Sequence, residues 1–292
     1  MKVAGFTFVR NAIKYDYPVE ASIRSILPLC DEVVVSVGNS DDNTLDLIRA
    51  IDSSKIRIIQ TVWDDSLKEG GRVLAVETNK AFDAVSDDAD WAFYIQADEV
   101  VHEKGYDNIR AAMQQYKNDH RVEGLLFNYV HFYGSYDYVG DSRTWYKHEI
   151  RVIRNNKQIR SYNDAQGFRR QGQKLLVKPV KADIYHYGWV KDPALQAQKQ
   201  NNSHYLYYGN NEQALKERLL AGNFDYGLVD SLARFKGVHP QVMQSRIAAR
   251  NWQFERDISR KSFSFKDAVL YWIEQKTGKR LFDYRNYKIL KK

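Results

Sequence analysis

Four short runs of apolar, β-branched and aromatic residues, at 3–9, 32–37, 56–59 and 91–95, alternate with stretches of helical periodicity, and this alternation narrows the chain to few folds. After the first run, Val19, Ile23, Ile26 and Leu27 recur at i, i+4, i+7 and i+8, with Asp16 placed to cap and Pro18 in the first turn. Leu45, Ile48 and Ile51 form a second apolar stripe, and a third helix is predicted over 73–85, after the Gly70-Gly71 loop. Runs that are apolar at nearly every position suit strands covered on both faces, the condition of a parallel sheet flanked by helices. Beyond Glu99 the alternation loosens: 109–116 reads as a helix, and 124–132, 150–154 and 184–189 as strands, the last carrying His186. From Asp192-Pro193 onward the pattern is helical, over 194–208, 212–220, 240–258 and 265–277. The expectation is an α/β domain over 1–195, with a mixed, mainly parallel sheet flanked by helices, and a helical C-terminal extension over 196–292 packed on it.

Composition excludes several classes. In 292 residues, 43% hydrophobic and 13% aromatic content is globular, not disordered. No apolar run approaches the roughly 20 residues that span a bilayer, and the N-terminus lacks a signal-peptide pattern. One cysteine, Cys30, excludes an internal disulfide framework and a CxxC metal site, which fits a reducing cytoplasm. The formal charge of +7 favours polyanionic partners: nucleic acid, anionic headgroups or nucleotide phosphates. No nucleic-acid-binding module is recognisable, so nucleic acid is not the expected partner. The basic run from Lys279 to Lys292, with Phe282, Tyr284 and Tyr287 interleaved, reads either as a membrane-surface contact or as a tail docked by its aromatics.

Ligands of open α/β sheets sit beyond the carboxyl ends of strands, which singles out the polar residues that follow each apolar run. Arg10-Asn11 follows the first, Asn39-Ser40-Asp41-Asp42 the second, and Gln96-Ala97-Asp98-Glu99 the fourth. Asp98 suits a hard divalent cation that also touches phosphates, or it opens the next loop as an ordinary turn acid. Asp42 suits a base or ribose contact, or caps the following helix. The glycines at 70–71 admit close approach of a ligand, and Arg72, Asn79 and Lys80 lie on the helix they open, where either cation meets phosphate or only solvent. His186 among aromatics is a metal ligand partnering Asp98 or a satisfied core histidine. Tyr133 and Trp145 form a stacking floor for a sugar or pack the core.

Together these pieces resemble the family 2 glycosyltransferases. The segment Ser40-Asp41-Asp42-Asn43-Thr44 looks like the end of that family's Asp-rich turn, and Gln96-Ala97-Asp98-Glu99 like the Asp-Ala-Asp-Glu form of its DxD motif. The resemblance covers about 1–190. It departs where Gly38 or Asn39 replaces the usual first acid of the turn, and where Gln96 replaces the first Asp of DxD.

The resemblance implies a GT-A fold binding a nucleoside-diphosphate sugar through Arg10, Asn11, Asn39, Asp42, Gly71, Arg72, Asn79, Gln96 and Ala97. It implies Mn²⁺ or Mg²⁺ held by Asp98 and His186, and transfer with inversion to a glycan or lipid-linked acceptor near Tyr133 and Trp145. A carboxylate is the base in inverting members of the family. Asp141, Glu149 and Asp164 lie between the DxD-like segment and His186, with Asp164 first and Glu149 second by its place in the loop after a strand resembling 149–154. The implied setting is surface-glycan assembly in the cytoplasm, peripheral at the inner face of the membrane. Two readings compete. A sugar-nucleotide-forming nucleotidyltransferase requires a glycine-rich phosphate loop after the first strand, which Val9-Arg10-Asn11-Ala12 lacks. A non-enzymatic nucleic-acid-binding protein requires salt-sensitive binding to RNA or DNA.

Overall fold

The computed structural model describes residues 1–291. The chain runs β1 (Val3–Val9), α1 (Val19–Ile26), β2 (Glu32–Gly38), α2 (Thr44–Arg49), β3 (Ile56–Thr61), α3 (Arg72–Asp83) and β4 (Trp91–Tyr94). It continues with β5 (Glu99–Val101), α4 (Tyr106–Tyr116), β6 (Gly124–Tyr133), β7 (Ser135–Gly140), β8 (His148–Arg154), β9 (Ile159–Tyr162), β10 (Gly167–Arg170), β11 (Gln173–Lys174) and β12 (Leu176–Trp189). The last third holds α5 (Pro193–Tyr208), α6 (Glu212–Lys216), β13 (Leu232–Arg234), α7 (Gln244–Ala248), α8 (Phe265–Thr277) and β14 (Lys288–Ile289).

The main sheet is mixed and mainly parallel, flanked by helices, in the order β13-β7-β6-β8-β4-β1-β2-β3. β12 pairs in parallel with β6 and β14, and antiparallel with β5. Only β5, β7 and β8 run against the others. Strand alternation divides the core. Odd positions such as Val3, Val33, Val35, Trp91 and Phe93 meet Ile23, Ile26, Ile48 and Ile109 of α1, α2 and α4. Even positions such as Ala4, Phe6, Val34, Ala92 and Tyr94 meet Ala81 and Phe82 of α3. Both faces are therefore dry, as expected for central strands that are apolar throughout.

Two features depart from the sequence reading. The predicted helix over 240–258 is helical only from Gln241 to Ala248, and Trp252 and Phe254 that follow are half-buried against other elements, outside any helix or strand. The segment after 195 also supplies two strands, β13 beside β7 and β14 beside β12. No helix among the described residues is long and apolar enough to cross a membrane.

Candidate functional site

A cavity of about 310 Å³ opens at the carboxyl ends of β1, β3 and β4, within the size range of small-molecule sites. Phe8 to Asn11 leave β1 into it, Trp63 follows β3, and Gln96, Ala97 and Asp98 follow β4. The turn between β9 and β10 adds Asp164 and Gln166. A further wall is α5, through Lys199, Asn202, Ser203, Leu206 and Tyr207. This helix begins where the sequence signals it: Asp192 Oδ1 accepts from the Ala194 amide at 2.8 Å, and Pro193 fills the first turn.

Asp98 is 9% exposed and paired. The Lys199 ammonium donates to its Oδ2 at 3.0 Å and to the Gly188 carbonyl at 2.8 Å. His186 Nε2 lies 3.6 Å from the same oxygen. Burial opposes ionisation of Asp98, but Lys199 and His186 outweigh it and hold the carboxyl well below the usual range. His131 Nε2 lies 3.0 Å from the Tyr146 carbonyl, which only accepts, so His131 donates there, and its Nδ1 lies 3.3 Å from His186 Nδ1. Gly188 makes this packing feasible, because a Cβ there would come within 2.5 Å of His186 Nε2 and 2.6 Å of Asp98 Oδ2.

Gln96 braces another wall of the cavity. Its Nε2 donates to the Ala165 carbonyl at 3.2 Å, tying the strand end to the β9–β10 turn. That turn is tight, with Asn163 and Ala165 both at positive φ, 52° and 63°. Asp164 between them faces the cavity and accepts from the Tyr207 hydroxyl at 2.7 Å. Below it, Arg151 is fully buried. It donates Nε to Glu99 Oε2 at 2.7 Å and Nη1 to the Gln166 carbonyl at 3.2 Å. Glu99 is therefore a structural acid and takes no part in lining the cavity.

The other residues marked in the sequence divide by position. Arg10, Asn11, Gln96, Ala97, Asp98 and Asp164 meet at the cavity. Asn39 stands behind it, accepting from the Trp63 amide at 3.1 Å and, through its carbonyl, from Arg10 Nε at 3.1 Å. Asp42, ahead of α2, accepts from the Thr44 amide at 3.0 Å and from the Lys14 amide at 2.8 Å, so the turn clamps the loop after β1. Gly71, at φ 69°, caps α3 where a Cβ would touch Asp164 Cβ and the Tyr207 ring at 3.0 Å. Arg72 is exposed at the start of α3, and Asn79 clamps the Ser161 backbone, accepting its amide at 2.9 Å and donating to its carbonyl at 3.1 Å. Lys80 pairs with Glu77 at 2.6 Å. None of the last three lines the cavity.

Glu149 lies beneath the site. It accepts from Gln166 Nε2 at 3.0 Å and Asn286 Nδ2 at 3.2 Å, and burial pushes its carboxyl up to about 7. Asp141 is bound by Lys261 at 2.7 Å and the Tyr271 hydroxyl at 2.8 Å, away from the cavity. Tyr133 and Trp145 pack with Tyr226, Val229 and Leu232 in a separate core cluster, so their rings present no floor to the cavity.

The residues at the strand end do not fit a divalent ion well. Asp98 Oδ2, the oxygen facing His186, already carries an ammonium. Gln96 offers its amide to a carbonyl, and no group of three His, Cys, Asp or Glu converges among the described residues. The sequence pointed to Asp98 but not to Lys199 or Tyr207, which lie in a helix of ordinary composition about a hundred residues downstream of it.

No protein-family model matches the sequence, and no curated protein matches it significantly. Among solved structures, it is similar to Staphylococcus aureus TarS, at 15% identity over 75% of this chain and 43% of that one, with a TM-score of 0.39. The chain thus spans less than half of TarS. TarS residues 1–349 in complex with UDP give 15% identity, 75% and 71% coverage and a TM-score of 0.39. Glucosyl-3-phosphoglycerate synthase from Mycobacterium tuberculosis, in complex with Mn²⁺, UDP and phosphoglyceric acid, gives 19%, 44% and 43%, with a TM-score of 0.29. Likeness at this level carries no functional argument.

Proposed function

We propose that this chain is a glycosyltransferase of the GT-A type, moving a sugar from a nucleoside-diphosphate donor to a hydroxyl of a glycan or lipid-linked acceptor, with inversion. One observation carries the reading: a single cavity at the carboxyl ends of parallel strands joins Arg10, Asn11 and Asp98 to a separate carboxylate, Asp164.

In this reading Phe8, Trp63 and Leu74 give the nucleoside an apolar bed, with Arg10 and Asn11 at its edge. Asp164 is the base. The acceptor oxygen bonds to the anomeric carbon, the bond from that carbon to the diphosphate breaks, and the hydroxyl proton passes to Asp164. Tyr207, now bonded to Asp164, holds the carboxylate in place until the acceptor arrives.

A surface-glycan role with a lipid-linked acceptor is supported by the exposed stripe Phe265, Val269 and Trp272 on α8, 87%, 42% and 61% accessible. Lys266 and Lys276 are exposed beside it, a pairing suited to an anionic membrane surface.

A thermal-shift panel of nucleoside diphosphates, their sugars and nucleoside triphosphates, run in Mn²⁺ and again in EDTA, tests the donor class. Stabilisation by one diphosphate and its sugars is expected. A response confined to a triphosphate favours nucleotidyl transfer, and no response to any nucleotide refutes the proposal.

A further inference from the structure

We infer that the Lys199 ammonium, held on Asp98, supplies the positive charge that meets the donor diphosphate, so that donor binding needs no divalent cation. The inference rests on the donor reading above and concerns the same cavity. Sequence logic gave Asp98 the task of holding a cation, and the structure shows which cation it holds.

Three observations support it. An ammonium has three N–H donors in roughly tetrahedral array. Lys199 spends two, on Asp98 Oδ2 at 3.0 Å and the Gly188 carbonyl at 2.8 Å. The third remains, and Lys199 itself lines the cavity, so this N–H is available to a phosphate oxygen. Second, among the described residues only two cations line the cavity, Arg10, which stacks 5.4 Å from the Trp63 ring of the apolar bed, and Lys199, which sits at the strand end on Asp98. A diphosphate bridging nucleoside and sugar runs between those places. Third, the ammonium is fixed. Its neighbours are Asp98, the Gly188 carbonyl and the Tyr17 ring at 5.2 Å, and just ahead of α5 Lys191 Nζ donates to the Tyr15 carbonyl at 2.8 Å. A divalent ion taking Asp98 Oδ2 and His186 Nε2 as ligands would have to expel this ammonium or bind beside it against Coulomb repulsion.

In the reaction the ammonium counters charge developing on the departing diphosphate oxygen, as a preorganised donor does. Asp98 is then a positioning residue, orienting the ammonium without touching donor.

The experiment is calorimetric titration of wild-type protein with UDP, GDP, CDP, ADP and dTDP, in EDTA and in Mn²⁺. One diphosphate is expected to bind in EDTA with a dissociation constant within about threefold of that in Mn²⁺. In Lys199→Met, that binding weakens at least tenfold, and Mn²⁺ does not restore it, tenfold being about 1.4 kcal/mol. Binding that requires Mn²⁺ overturns the inference and leaves the donor reading standing. Absence of binding in both buffers overturns the donor reading, and the inference falls with it. The wild-type comparison is decisive without any variant, so misfolding of Lys199→Met does not obscure the result.

Discussion

The Tyr207 hydroxyl donates to Asp164 Oδ2 at 2.7 Å, joining α5 to a turn 43 residues earlier in the chain. The bond closes the cavity over the proposed base. It also places the base next to the wall that carries Lys199, so both ends of the reaction depend on one helix.

Replacing Asp164 by Asn should lower kcat by at least about 100-fold while leaving nucleoside-diphosphate affinity within twofold, because proton removal contributes about that much. Comparing kcat with a directly measured donor dissociation constant separates the two effects. A rate close to wild type transfers the base role to another carboxylate. Tyr207→Phe should cost about 1 kcal/mol of stability through the lost hydrogen bond, readable in urea unfolding.

Asp98→Ala should lose donor turnover and destabilise the fold by about 3 kcal/mol at neutral pH, because the Lys199 charge is left in a nearly closed site without its acid. Asp98 has a folded pKa held below its unfolded value. Its contribution is therefore complete above the unfolded pKa of about 4 and fades as pH falls toward the folded value. The stability gap between wild type and variant should narrow below about pH 4. A gap of the same size at pH 7 and at pH 3 would contradict the ion pair.

Glu149 carries the opposite sign. Its folded pKa is raised to about 7, so between about 4.5 and 7 the folded state keeps a proton that the unfolded chain has released, and stability falls as pH rises through that window. Glu149→Gln should remove the slope, gaining up to about 3 kcal/mol at pH 8 and little at pH 5. Denaturant midpoints at the two pH values decide it, and an equal gain at both would contradict the burial argument.

The α8 stripe makes a separate claim. Flotation with vesicles containing phosphatidylserine should recover wild-type protein, and Trp272→Ser combined with Phe265→Ser should abolish recovery without changing donor binding. Equal recovery with neutral vesicles would remove the electrostatic part of the contact.

How much was legible follows from where the interactions lie. Strands β1, β2 and β4 and helix α3 were readable because each is shaped by its own apolar pattern, buried on two faces or on one stripe. The full length of β12 was not. Lys178, Pro179 and Lys181 interrupt its alternation, and the strand accommodates them with a register shift between Pro179 and Asp183. The predicted 240–258 helix failed because Trp252 and Phe254 are spaced to fill gaps against Tyr136 and Tyr138 rather than to line a helix face. At the site, Asp98 and Asp164 were visible as acids at strand ends and turns. Lys199 and Tyr207 were invisible, since their importance arises from how α5 lies on the sheet, which no local pattern encodes. Gln96 lines the cavity, and its amide also ties two loops together, a role no local pattern showed.

The placement of α5 also bears on how the chain can be shortened. Gly70 and Gly71 donate their amides to the Tyr207 and Leu206 carbonyls at 3.0 and 3.3 Å, so the loop before α3 leans on the C-terminal end of α5. A truncated protein stopping at Asp192 would retain the strands of the parallel half but forfeit one side of its groove, and the glycine loop would lose its support. Any shortened form should therefore keep α5 whole.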